Sequence, residues 1–156
     1  MAELLDTLLT STTLKLHYRF RASAQQLFEA WTQPDLLRQW FRVRADYSTP
    51  IAEVDLRVGG RYRLGMQTPE GELIAAAGEY RHVEAPHKLA FTLKWESSPP
   101  EMAPTLVTLD FIQHPESSEL ILRHEHFTSE EHRDDHLDGW KGCLTQLSAF
   151  AKDKGA

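Results

Sequence analysis

From Ile51 to Phe127 apolar and polar residues alternate almost without interruption, and then the spacing changes to that of a helix for the remainder of the chain. A period of two places successive side chains on opposite faces of a strand. Turn signals cut the alternation at short intervals. "VGG" at Val58 to Gly60 makes a tight corner, and "TPEG" presets a turn through Pro69 and leaves Gly71 free to take a positive φ. "ESSPPEMAP" is too rich in Ser and Pro for a tight turn. The segment therefore predicts an antiparallel meander. Beyond it, Thr128 and Ser129 are capping candidates, with Glu131 in capping-box spacing from Thr128. Leu137, Trp140, Leu144, Leu147 and Ala151 then recur every three or four residues, flanked by Cys143 and Phe150. A long helix with one apolar face must lie across the only large apolar surface available, the sheet. Gly139 and Gly142 inside it each cost about 1 kcal/mol against alanine, which predicts close approach to another backbone.

Upstream, "TLKLHYRF" alternates with Leu14, Leu16, Tyr18 and Phe20 on one face, giving strand one of the expected domain. "SAQQLFEAWTQPDLLRQWF" switches to helical spacing, with Ser23 as N-cap and Pro34 ending a first short helix and opening a second. Seven strands are expected in all, counting Thr13 to Phe20 and six from Ile51 onward. The "AAAG" centre of the strand Glu72 to Val83 is slim enough to leave room for something against the sheet. Leu4, Leu5, Leu8 and Leu9 fall four apart in pairs, which predicts a turn or two of amphipathic helix. The expected organisation is an N-terminal appendage, 1–12, and a single domain, 13–152. The four leucines can cover a neighbouring subunit, as in a homodimer, as readily as their own domain.

A chain of 156 residues can bury a real core, roughly 70% of the surface its unfolded form exposes. No apolar run approaches the roughly 20 residues of a membrane span, so no membrane association is expected. The start lacks the charge and apolar run of a secretory signal, and Cys143 is the only cysteine, so a reducing cytoplasm is expected. A net charge of −6 repels phosphates and argues against nucleic acid. Charge is nevertheless uneven: Pro34 to Arg63 holds six arginines against four acids, and Glu116 to Asp138 holds eight acids against two arginines. Such faces suit solvent, or docking to another protein.

The order strand, two short helices, six strands and long helix resembles the α+β helix-grip (START-like) fold, a curved antiparallel sheet wrapped around a C-terminal helix. "LFEAWTQPDLLRQWF", "DLRVGGRYRL", "PEGELIAAAGEY", "VEAPHKLAFTLKW" and "HLDGWKGCLTQLSAF", in that order, resemble the SRPBCC superfamily and its branch named for the activator of heat-shock protein 90 ATPase homologue. The resemblance runs from about Thr13 to Phe150. It implies a cavity between sheet and helix, and with it a small apolar or amphipathic ligand. Alternation points Tyr62, Met66, Phe91, Trp95, Phe111, Leu122 and His124 inward, joined by Trp140 and Leu144 from the helix and by Trp40 and Phe41 near the entrance.

Four of the eight histidines fall between Arg123 and Trp140. His132 and His136 have the i, i+4 spacing of zinc ligands, but "HRDDH" lacks the glutamate of a zincin and the pair opens an acidic helix, so both are read as surface residues and no metal is expected. His124 and His126 alternate with Glu125 and so are expected on the cavity side, where an imidazole near Tyr62 or Tyr80 can bind a polar atom or act as general acid or base. No phosphate cradle or nucleophile elbow is present, and no cofactor is expected. Three functions follow: a binding protein for a small molecule, a chaperone-associated regulator as the family name implies, and a cyclase or hydrolase using His124. The resemblance implies a separate N-terminal domain only for the eukaryotic activators, and none is expected here, which weighs against the chaperone role.

Overall fold

The computed structural model describes residues 2–155, with side chains through Ala151. Strand β1 (Glu3–Leu9) and β2 (Thr13–Phe20) precede helices α1 (Ala24–Thr32) and α2 (Pro34–Trp40). Strands β3 (Ser48–Val54), β4 (Arg61–Gln67), β5 (Leu73–Glu84), β6 (Lys88–Trp95), β7 (Thr105–Gln113) and β8 (Ser118–Glu125) follow, and helix α3 (Glu130–Gly155) ends the chain. All strands are antiparallel in one sheet of order β1-β2-β8-β7-β6-β5-β4-β3. Pairing of β2 with β8 brings the two ends of the domain together, with Leu16 opposite Leu122 and Leu14 opposite His124. No helix among the described residues is long and apolar enough to cross a membrane.

Local chemistry explains the elements. Ser23 and Gln26 form a reciprocal capping box at α1, each side chain holding the other's backbone N–H. Pro34 sits in the first turn of α2, where its missing N–H costs nothing. Gly59 and Gly71 both take positive φ at the corners anticipated for them. At α3 the cap is Ser129, whose hydroxyl accepts from His132 N–H, so the Thr128 to Glu131 capping box is not the one formed. Thr128 meets the His132 ring instead.

The N-terminal segment departs from expectation. Residues 3–9 are a strand, not a helix, and the sheet has eight strands where seven were expected. Leucines four apart fit either structure once a bulge at Leu5 breaks the alternation, because the register shifts between Leu4 and Asp6. A helix this short is marginal in water, whereas the free edge of β2 offers a ladder of backbone partners. Leu4, Leu5, Leu8 and Leu9 remain exposed.

The inner face of the sheet carries the core. Leu14, Leu16, Leu89, Leu109, Leu120 and Leu122 are fully buried, and Leu144 and Leu147 of α3 are buried with them. Gly142 explains how α3 closes on its neighbour. A Cβ there would overlap the carbonyl oxygen of Val43, so only glycine allows this approach of helix to loop. The backbone approach expected of the helix glycines is met at Gly142, whereas a Cβ at Gly139 would meet only a Val43 methyl at 3.7 Å.

Candidate functional site

Between the β4–β6 end of the sheet, the middle of α3 and the loop after α2 lies a cavity of about 560 Å³. The sheet supplies Met66, Ile74, Leu93 and Trp95, the loop supplies Phe41, Val43, Arg44 and Tyr47, and α3 supplies Asp135, His136, Asp138, Gly139, Trp140 and Cys143. A second void of about 20 Å³, lined by Trp31, Leu37, Tyr62, Ala76, Tyr80 and Phe91 among others, shares Phe41, Leu93 and Trp140 with it. Helical spacing accounts for the α3 contribution: residues 136, 139, 140 and 143 fall on one face at intervals of three and four.

The inward candidates separate by depth. Phe41, Met66, Trp95 and Trp140 line the cavity, and Tyr62 and Phe91 line the small inner void. Trp40, Phe111, Leu122 and Leu144 line neither and are packed in the core. Trp40 is edge-on to Trp31 with centroids 4.8 Å apart and donates its indole N–H to Ala30 O at 2.8 Å. Phe111 packs edge-on against Phe28 of α1 at 5.7 Å. The correction has a simple cause: alternation identifies the covered face of a strand, whereas α1 and α3 decide which stretches of that face are filled.

The slim strand also serves a different purpose from the one expected. Ala76 lines the inner void, but a Cβ on Gly78 would overlap the Thr92 carbonyl and crowd the Tyr62 ring. Gly78 makes room for protein rather than ligand. Tyr62 donates its hydroxyl to that same Thr92 carbonyl at 2.6 Å, and burial, with the neighbouring Tyr80, pushes its pKa well above the usual phenol range. Burial, with the nearby Asp55 carboxylate, raises the Tyr80 hydroxyl as well, so both tyrosines are neutral.

His124 is buried completely and does not present a free nitrogen. Its Nδ1 accepts the Trp140 indole N–H at 2.9 Å, which places the proton of the neutral ring on Nε2. Nε2 then donates to Thr105 Oγ1 at 2.7 Å, and that hydroxyl donates to Leu93 O at 3.0 Å. The chain of bonds has a single consistent polarity. His126 does not accompany it: the backbone turns at this residue with φ of 76°, and the side chain is exposed. The expectation that both imidazoles face the cavity fails because the strand ends at Glu125.

His136, read from the sequence as a surface residue, is half-buried and lines the cavity. Its Nδ1 donates to His132 O at 2.9 Å, and its Nε2 accepts the Trp95 indole N–H at 2.9 Å. Two tryptophans on opposite walls are thus each pinned by a neutral imidazole. The rings of His124, His136 and His132 sit 4.9 and 4.8 Å apart in that order, beside Phe127. Among the described residues no three His, Cys, Asp or Glu converge to hold a metal ion. The only sequence signal for His136 was its position four residues before Trp140 on the buried stripe.

Burial, followed by the charges its neighbours His136, His132 and His126 would carry, holds His124 well below the usual imidazole range, and burial likewise lowers His136. The unfolded chain therefore takes up protons that the folded one refuses, and stability falls as pH drops below about 6.5. Each histidine contributes a slope of up to about 1.4 kcal/mol per pH unit until its folded pKa is reached. Urea midpoints measured between about pH 7.5 and 5, above the carboxylate range, are expected to fall steadily. A midpoint that rises or stays flat would contradict the neutral assignment. Cys143, pushed up to about 12 by burial, stays a thiol.

Residues 21–152 match the family described as Activator of Hsp90 ATPase homolog 1-like protein. Among solved structures, the chain is similar to an AHSA1 protein from Silicibacter pomeroyi, with 25% identity over 91% of this chain and 99% of that one and a TM-score of 0.79. An AHSA1-like protein from Aeromonas hydrophila shares 24% identity over 90% and 94% of the two chains, with a TM-score of 0.76. A protein from Mycobacterium smegmatis, 19% identical, covers 95% of this chain and 96% of its own at a TM-score of 0.81. No curated protein matches the sequence.

Proposed function

The chain belongs to the family of Activator of Hsp90 ATPase homolog 1-like proteins, and we propose that it is a binding protein for a small apolar or amphipathic molecule held between sheet and C-terminal helix. The binding unit is residues 13–152, and Phe41, Met66, Trp95 and Trp140 are the principal contact residues. The observation that carries this reading is the cavity itself. Its volume of about 560 Å³ falls within the range of small-molecule sites, and its walls are mainly aliphatic and aromatic. Tyr62 and Phe91 shape the floor beneath it. The hydrolase or cyclase reading draws little support from His124, because both ring nitrogens are committed to protein groups. Chaperone docking rests on the family description.

Gly139 offers the test. It lines the cavity, and a Cβ there would meet only a Val43 methyl, at the ordinary contact distance of 3.7 Å, so Gly139→Leu is expected to extend into the void without displacing backbone. The variant also gains up to about 0.8 kcal/mol of helix propensity. The neutral dye N-phenyl-1-naphthylamine is expected to brighten on binding the wild-type protein. With Gly139→Leu its affinity is expected to drop about tenfold or more while the melting temperature is kept or raised. Equal dye affinity in both proteins would remove the cavity as the binding site.

A further inference from the structure

We infer that the molecule taken by this cavity carries its polar group at one end only, and that this group is cationic: an alkyl or aryl amine whose apolar body enters first. The inference rests on the binding reading above and adds the chemistry of the ligand.

The argument begins with the polar atoms of the cavity wall. The indole N–H groups of Trp95 and Trp140 are given to His136 and His124, and the remaining nitrogen of His136 is given to the His132 carbonyl. Trp31, whose buried indole N–H has no partner, lines the inner void and not the main cavity. A polar group on the body of a ligand would lose its water and gain no ready partner, which costs on the order of several-fold to a hundredfold in affinity. A sugar, a nucleotide or a polyhydroxylated ring is therefore a poor fit, and a hydrocarbon body is a good one.

Free polar groups are found at the mouth. Asp135 and Asp138 of α3 and Arg44 of the loop are exposed there, with Tyr47 half-buried beside them. Asp135, Asp138 and Arg44 take part in none of the ion pairs among the described residues. Two carboxylates against one guanidinium leave the mouth negative, as is the whole chain at −6.

Decylamine, decanol and decanoate share one hydrocarbon chain and differ in the charge of its end, so their displacement of N-phenyl-1-naphthylamine at about pH 7.5 and low salt separates the two inferences. Decylamine is expected to bind about threefold to fivefold more tightly than decanol, with decanoate weakest, and the order to collapse in about 1 M salt. Asp135→Asn combined with Asp138→Asn is expected to bring the decylamine-to-decanol ratio to about one. Decanoate equal to or ahead of decylamine, or a ratio unmoved by the double substitution, overturns the cationic assignment while the cavity reading stands. Failure of the dye and of decanol to bind overturns both.

Discussion

Replacing Gly142 by alanine is expected to lower the stability of the protein by about 2 kcal/mol and to loosen the loop that forms one side of the cavity mouth. On an isolated helix the substitution would help, by about 1 kcal/mol. Here the added methyl lands on the Val43 carbonyl oxygen, which is backbone and can yield only if the loop or the helix shifts. Overpacking of this kind costs about 1 to 3 kcal/mol and occasionally more, which outweighs the propensity gain. Gly139→Ala, one turn away on the same helix, supplies the control: its Cβ meets nothing closer than 3.7 Å, so it is expected to stabilise slightly. Urea denaturation of both variants followed by circular dichroism decides the matter. If the two alanines behave alike, the close approach of α3 to Val43 is not a feature of the folded protein.

His124→Leu is expected to cost on the order of 3 kcal/mol, although the substituted side chain is fully buried and leucine is the more apolar residue. The loss comes from the partners. Trp140 keeps a buried indole N–H with no acceptor, and the Thr105 hydroxyl loses the donor that faced it. The orphaned indole costs about 1 to 3 kcal/mol, and Thr105, which still donates to Leu93 O, adds a smaller loss. Adding Trp140→Phe removes the orphaned donor, so the double variant is expected to recover part of the loss, with a coupling of about 1 kcal/mol or more between the sites. Strict additivity would show that the bond between indole and imidazole contributes nothing. Dye binding provides a second readout, because Trp140 lines the cavity and is expected to lose its fixed position in the single variant.

Both predictions turn on contacts that join distant parts of the chain, and this separates what was legible in the sequence from what was not. The period of two from Ile51 to Phe127 and the stripe from Leu137 to Ala151 are local, and they describe the meander and α3 correctly because each element must bury one face. Gly59, Gly71 and Ser23 were readable for the same reason: a turn or a cap is decided by its own few residues. Residues 3–9 were not, since their leucines suit helix and strand alike and the free edge of β2 made the choice. Within the site, alternation could name a covered face, yet it could not say that Phe111 would meet α1 while Trp95 would border open space. His136 was misread because its meaning lies 41 residues away, in the indole of Trp95. Side-chain periodicity thus determined which faces are covered, and tertiary packing alone decided how deeply, because the volume left between two surfaces depends on where both of them stop.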